Sequence, residues 1–254
     1  MQGLEGGFTA CFSSDDRTSG SSNDFTIRLS PGMDLSSSDR WAIYMADLSL
    51  WYTWYNISTL YGTTTFKYSH NAGVNWNTIE LTPGIYKADD LITAIGLKIT
   101  ANGHTSASIL ITANQNTQKF VFSFVGGYQV DFTGLNIRTI FGAESAIYSV
   151  SGAMPNVAKM TYGVNSWYLN CDLLDTGYQG RTQGRVLHSF VPDVSPGSAI
   201  RETPQATYSL VRSTRVVNDI RFWLTDQLGR SLSIQDEPIS LRLHFKPLRA
   251  LSFI

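Results

Sequence analysis

The side chains best suited to proton transfer or metal ligation are four histidines, His70, His104, His188 and His244. None stands two or four residues from another, the spacing that lays two imidazoles on one side of a strand or helix. His244 falls on the polar side of an alternating segment and reads as a surface ring. His188, Ser189, Asp193 and Asp172 contain the residue types of a nucleophilic triad. Such a triad holds its serine on a strained G-x-S-x-G elbow beside an oxyanion hole, and Gly163-Val164-Asn165-Ser166-Trp167 departs from that form. Three acidic pairs, Asp15-Asp16, Asp89-Asp90 and Asp236-Glu237, offer the two carboxylates of glycoside hydrolysis. Their neighbours read instead as a turn, the first turn of a helix, and a turn before the last strand. Trp51, Tyr52, Trp54 and Tyr55 have the makings of a sugar-stacking surface. Between two strands, such rings are expected to pack a sandwich edge or a subunit contact. The phosphate loop G-x-x-x-x-G-K-S/T, the dinucleotide turn G-x-G-x-x-G, H-E-x-x-H and paired C-x-x-C are all missing. The expectation is no enzyme, with no catalytic, cofactor-binding or metal-ligating residue and no cofactor.

The elements that position these residues are strands. Ile239, Leu241, Leu243 and Phe245 alternate with Ser240, Arg242, His244 and Lys246, so one face is buried and the other wet. Ile220, Phe222 and Leu224 repeat the pattern, and 226–230 reads as a turn into a hairpin partner at 231–234. Further strands are expected at 8–12, 25–29, 41–50, 64–68, 77–81, 108–112, 118–125, 128–132 and 166–174. Gly, Pro, Asn and Asp clusters separate them. One helix is expected over 87–99, where Ala88, Leu91, Ile92, Ile95 and Ile99 form a stripe. Asp89 and Asp90 then suit the positive end of its dipole. A shorter helix over 135–141 would close at Gly142. Many short strands with little helix indicate an all-β fold, a sandwich, barrel or jelly roll, with one or two short capping helices. With no linker or repeat, the sequence reads as one domain over 1–254, its core at 8–246.

Of 254 residues only 15% are charged, 19 basic against 20 acidic, for a net charge of −1. Soluble domains carry about 25%. The basic residues are scattered, which argues against direct contact with nucleic acid, whose phosphates demand clustered Lys and Arg. No apolar run is long enough to span a membrane. Residues 1–12 lack the basic start and apolar run of a secretory leader, so assembly inside a cell is expected. On that basis Asn56-Ile57-Ser58 matches a glycosylation acceptor by chance, and Cys11 and Cys171 read as buried free thiols. Low charge and 12% aromatics suit a surface that meets other protein.

An ordered series of motifs carries a resemblance. It begins with Phe25-Thr26-Ile27-Arg28-Leu29, Met33-Asp34-Leu35, the stretch from Trp41 to Leu48, and Trp54-Tyr55-Asn56-Ile57. It continues through Ile79-Glu80-Leu81-Thr82-Pro83-Gly84-Ile85-Tyr86 and Asp90-Leu91-Ile92. It ends with the stretch from Ser166 to Leu174, Tyr208-Ser209-Leu210-Val211, Ile220 to Gly229, and Leu241 to Lys246. In that order they resemble the penton, or minor capsid, proteins of virophages and Polinton-like viruses, adintovirus and adomavirus relatives among them. The resemblance implies an upright single jelly roll and a homopentamer at the five-fold vertices of an icosahedral capsid. It also implies neighbours made of a double-jelly-roll major capsid protein, and a place in the virion after assembly in the host cell. The chain departs from the family at Ser19-Gly20-Ser21-Ser22-Asn23 and at Ala42, and it has no Arg-Gly-Asp. It also reads as lacking a long insertion or N-terminal arm that would hold a fibre or spike, so a plain vertex plug is expected. The alternative is a jelly-roll binding module, lectin-like or trimeric cytokine-like.

Overall fold

The structure, a computed structural model, describes residues 7–38, 40–175, 177–179, 182–212 and 215–248. The leader expectation for residues 1–6 lies outside them. The chain opens with β1 (Phe8–Ser13), β2 (Ser19–Ser21), β3 (Asp24–Asp34) and β4 (Arg40–Trp51). There follow β5 (Thr65–Ser69), β6 (Trp76–Glu80), α1 (Ala88–Ala101), β7 (Ile109–Asn114), β8 (Lys119–Phe124) and β9 (Gln129–Asp131). Next come α2 (Arg138–Phe141), β10 (Ile147–Tyr148), β11 (Gly152–Ala153) and β12 (Trp167–Cys171). The remainder is β13 (Gly177–Gln179), β14 (Thr182–Gly184), β15 (Val186–Phe190), β16 (Ala199–Glu202), β17 (Ser209–Leu210), β18 (Val216–Asp226) and β19 (Ser240–Leu248).

Contacts gather these elements into two compact units, Met1–Trp54 with Val164–Ile254, and Tyr55–Gly163. The first holds two five-stranded sheets. One runs β1-β19-β4-β16 with β17 also on β4, and the other runs β15-β12-β18-β3-β2. The pairing is nested: β1 with β19, β3 with β18, β4 with β16, and β12 with β15. A chain whose outer strands pair with each other, and whose inner strands do the same, is a long hairpin rolled into two sheets, the jelly roll. The core follows the alternation in sequence. Leu241, Leu243 and Phe245 are buried while Ser240, Arg242 and Lys246 face out. Phe12 of one sheet meets Phe222 of the other, ring centroids 5.4 Å apart. Each such side chain contributes about 1.5–3 kcal/mol when buried. Between Arg242 and Leu243 the register on β4 slips by one, leaving Ala46 as the extra residue of a bulge.

The second unit interrupts the roll between β4 and β12. It carries one sheet in the order β10-β9-β5-β6 and another in the order β11-β8-β7. Leu91, Ile95 and Ile99 of α1 and Ile140 and Phe141 of α2 are buried with the strand residues Phe66, Phe120, Phe122 and Val130 and with Phe132, just after β9. The two helices were expected to cap the sandwich sheets; they help build the core of this inserted unit instead. The inserted strands carry the same two-residue period as the roll, so no shift in composition marks Trp54/Tyr55 or Gly163/Val164.

Two smaller expectations also change. After β18 the chain makes a tight turn, and 231–234 meets β18 through the Thr225–Ser231 bridge and the Leu232 amide on the Leu224 carbonyl rather than as a full hairpin strand. Asp226 explains the turn: its carboxylate accepts from the Leu228 and Arg230 amides and from Arg230 Nε at 2.6 Å. Both cysteines are free, but only Cys171 is buried; Cys11 is exposed, because Phe8, Ala10 and Phe12 occupy the inward positions of β1. Burial raises the Cys171 thiol well above its ordinary pKa.

Candidate functional site

The triad drawn on paper is not assembled. His188 and Ser189 are consecutive in β15, so their side chains leave opposite faces of the strand. The His188 ring stacks on Phe190 and its Nε2 lies 3.6 Å from Glu202 of β16, joining one edge of the sandwich across its two sheets. Asp172 accepts from the Arg221 amide and lies 3.9 Å from Arg212. The acidic pairs fall where their neighbours put them: Asp15-Asp16 in a 3-10 turn, Asp89-Asp90 in the first turn of α1, and Asp236 in a left-handed turn. His244 faces outward and bonds Thr9 Oγ1 at 3.2 Å. Among the described residues no three His, Cys, Asp or Glu side chains converge on a metal position.

The fold does bring together two histidines that the sequence keeps apart. The rings of His70 and His104 stack at 4.3 Å, and His104 Nδ1 lies 2.9 Å from the Tyr68 hydroxyl. Strand β5 delivers Tyr68 and leads into His70, while the turn after α1 delivers His104. No local spacing signals that meeting.

The aromatic run divides. Trp54 is buried, Tyr52 and Tyr55 are half-buried, with the Tyr52 ring edge-on against Trp167 at 5.4 Å, and Trp51 is 43% exposed. These rings therefore mostly fill the sandwich, as expected of packing aromatics. The sequon has a structural meaning. Asn56 is 5% exposed. Its Nδ2 donates to the Tyr86 and Met160 carbonyls, each at 2.8 Å, and its Oδ1 accepts from the Ile57 and Tyr86 amides. One side chain thus ties the first residues of the inserted unit, the Pro83-Gly84 turn and the unit's last segment.

On the outer face of the second roll sheet, Arg221 grips Asp24 with two bonds of 2.7 Å and lies over the Trp223 ring. That pairing raises the Arg221 pKa further. Arg28 pairs with Asp219 at 2.9 Å beside it. On the outer face of the first sheet, Tyr44, Tyr208 and His244 cluster, with Lys246 over Tyr208. Charge is neutralised in pairs on these faces and aromatic rings lie at the surface, an arrangement suited to contact with protein. No helix is long and apolar enough to cross a membrane among the described residues.

No protein-family model and no curated protein matches this chain. Among solved structures, the crystal structure of the selenomethionine-labelled mavirus penton protein is similar over 96% of this chain and 100% of that one. The TM-score is 0.50 and the identity 10%. The all-β jelly roll inferred from the motifs is therefore also the fold of a virophage penton protein, reached through a very different sequence.

Proposed function

We propose that this chain is a viral capsid protein of the penton kind, five copies of which ring the five-fold vertices of an icosahedral shell. The observation that carries this reading is the likeness in fold to the mavirus penton protein, which extends over both units of this chain. The surface chemistry supports it. A five-membered ring is built from head-to-tail contacts, so each copy needs two different interfaces, in addition to a rim that meets the surrounding shell. Interface cores are depleted in charge and enriched in aromatics. This chain is 15% charged and 12% aromatic, and its exposed Arg28 and Arg221 pair with carboxylates.

In this reading the partners are other copies of the chain and a double-jelly-roll major capsid protein. The role is structural rather than catalytic, and the genome is left to other proteins. The place of action is the virion, after assembly in the host cell. Native mass spectrometry of the purified chain tests the ring: a dominant species of five chain masses is expected, and a stable monomer or trimer contradicts it.

A further inference from the structure

We infer that one end of the inserted unit is a lipid contact, where turns carrying Val74, Val125 and Val150 dip into the interface of a bilayer. The registers bring these turns to one end. Strands β5, β8 and β10 run toward it, and β6, β9 and β11 run away from it: Ser69 lies opposite Gln129 and Trp76, Tyr148 opposite Val130, and Gly152 opposite Phe122. The connections 70–75, 125–128 and 149–151 therefore share that end. So does 102–108, because β7 starts at Ile109, opposite Phe124. Contacts join all four. The Ala72 amide donates to the Gly127 carbonyl, the Val125 amide to the Ser108 carbonyl and the Phe124 amide to Ser151 Oγ, while His70 stacks on His104.

One aliphatic side chain stands out from each of three turns: Val74 is 77% exposed, Val125 61% and Val150 79%. None of the four connections holds an Asp, Glu, Lys or Arg, in a chain that is 15% charged. The opposite end, where the chain enters and leaves the unit, carries Lys87, Arg138, Glu144 and Lys159 between its strands. The unit thus has a charge-free end and a charged one.

The backbone supplies the second observation. Surface turns can leave their amides to water. Here every amide from Asn71 to Asn75 is bonded inside the chain. In order, the acceptors are Ser69 Oγ, the Gly127 carbonyl, Ser69 Oγ again, the Asn71 carbonyl and Asn71 Oδ1. Internal bonding of this kind is what lipid demands, because acyl chains offer an amide no partner. A protein partner is recognised through free backbone groups, charge or a shaped groove. This end instead presents separate aliphatic side chains, whose attraction has no direction. Half-buried behind them are Trp76, beside Gly73, and Tyr128, rings of the type that gather at a membrane–water interface. The contact is shallow, and its strength follows the apolar area it buries.

Flotation of the full chain with vesicles tests the contact, using phosphatidylcholine alone and phosphatidylcholine with added phosphatidylserine. Lipid is held at the millimolar level that retains a protein with one acyl anchor. The wild-type chain is expected to float with both, and equally at about 0.1 M and about 1 M salt, because no charge is involved. Val74→Asp and Val150→Asp should each lower the partition by at least about tenfold. Val157→Asp, at the charged end and 46% exposed in the wild type, should leave it unchanged. Thermal melts confirm that each variant is folded. Depth is read with a solvent-sensitive dye in a Cys11→Ser chain, where buried Cys171 stays unlabelled. The dye on Val150→Cys should shift to the blue with vesicles, and on Lys159→Cys it should not. Failure of the wild-type chain to float, flotation that needs phosphatidylserine or vanishes in high salt, wild-type partition in either tip variant, or the reverse pattern of dye shifts overturns the proposal. Loss of self-association in the tip variants without lipid would assign this end to a second copy and overturn it equally.

Discussion

Replacing Phe141 with alanine is expected to destabilise the inserted unit by about 3–5 kcal/mol, the range for emptying a buried aromatic site. The ring is fully buried and meets four others: Phe120 at 5.0 Å, Phe132 at 5.4 Å, Phe122 at 5.5 Å and Phe66 at 6.0 Å between centroids. Phe66 comes from β5, Phe120 and Phe122 from β8, and Phe132 from the residue after β9, so no single neighbour can move in to close the cavity. Phe141 is also the last residue of α2. The next residue, Gly142, has φ 71°, and a β-carbon there would lie 2.2 Å from the Asn156 carbonyl oxygen, which fixes the ring's backbone in place. Guanidinium unfolding followed by Trp76, the one tryptophan within Tyr55–Gly163, reads the unit directly. Its midpoint should fall well below the wild-type value. An unchanged midpoint would mean that the rings do not form one packed cluster.

Replacing Asn56 with aspartate is expected to cost the same unit about 3 kcal/mol. The substitution keeps the shape and both acceptors but removes the amide donor, so two buried carbonyls, those of Tyr86 and Met160, lose their partner and face an oxygen instead. Each unsatisfied buried polar group costs about 1–3 kcal/mol. Alanine at the same place should cost a similar amount, because it also strands the Tyr86 amide, while the Ile57 amide keeps the Gly84 carbonyl at 3.2 Å. Differential scanning calorimetry with the Trp76 signal gives the values. A loss below about 1 kcal/mol would show that water replaces the amide, which the burial of Asn56 argues against. The same burial means that the folded chain, passed through a glycosylating compartment, should carry no sugar at this position.

These two residues mark how far the sequence could be read. The phenylalanines of the inserted unit announce themselves as strand residues through their two-residue period, and α1 through its stripe of Leu91, Ile95 and Ile99. Their order identifies elements, but periodicity is blind to which core an element joins. The inserted strands look like those of the roll, and so the second unit stayed hidden in an even composition. Asn56 was legible only as a motif of three letters. Its role depends on partners 30 and 104 residues away, a separation no local pattern encodes. The His70–His104 stack is of the same kind, since β5 and the turn after α1 must come together to make it. Cys11 failed for a simpler reason: an apolar run names a strand, and only the register names the face. The ordered motifs fared better, because spacing along the whole chain constrains topology as local chemistry does not.

The central claim is tested most directly by cryo-electron microscopy of purified particles from the genome that encodes this chain, reconstructed around their five-fold axes. The account predicts density for five copies of the jelly roll at each vertex, with the Tyr55–Gly163 unit present in every copy. Vertices built from another protein, with this chain missing from the particle or placed away from the axis, would contradict it.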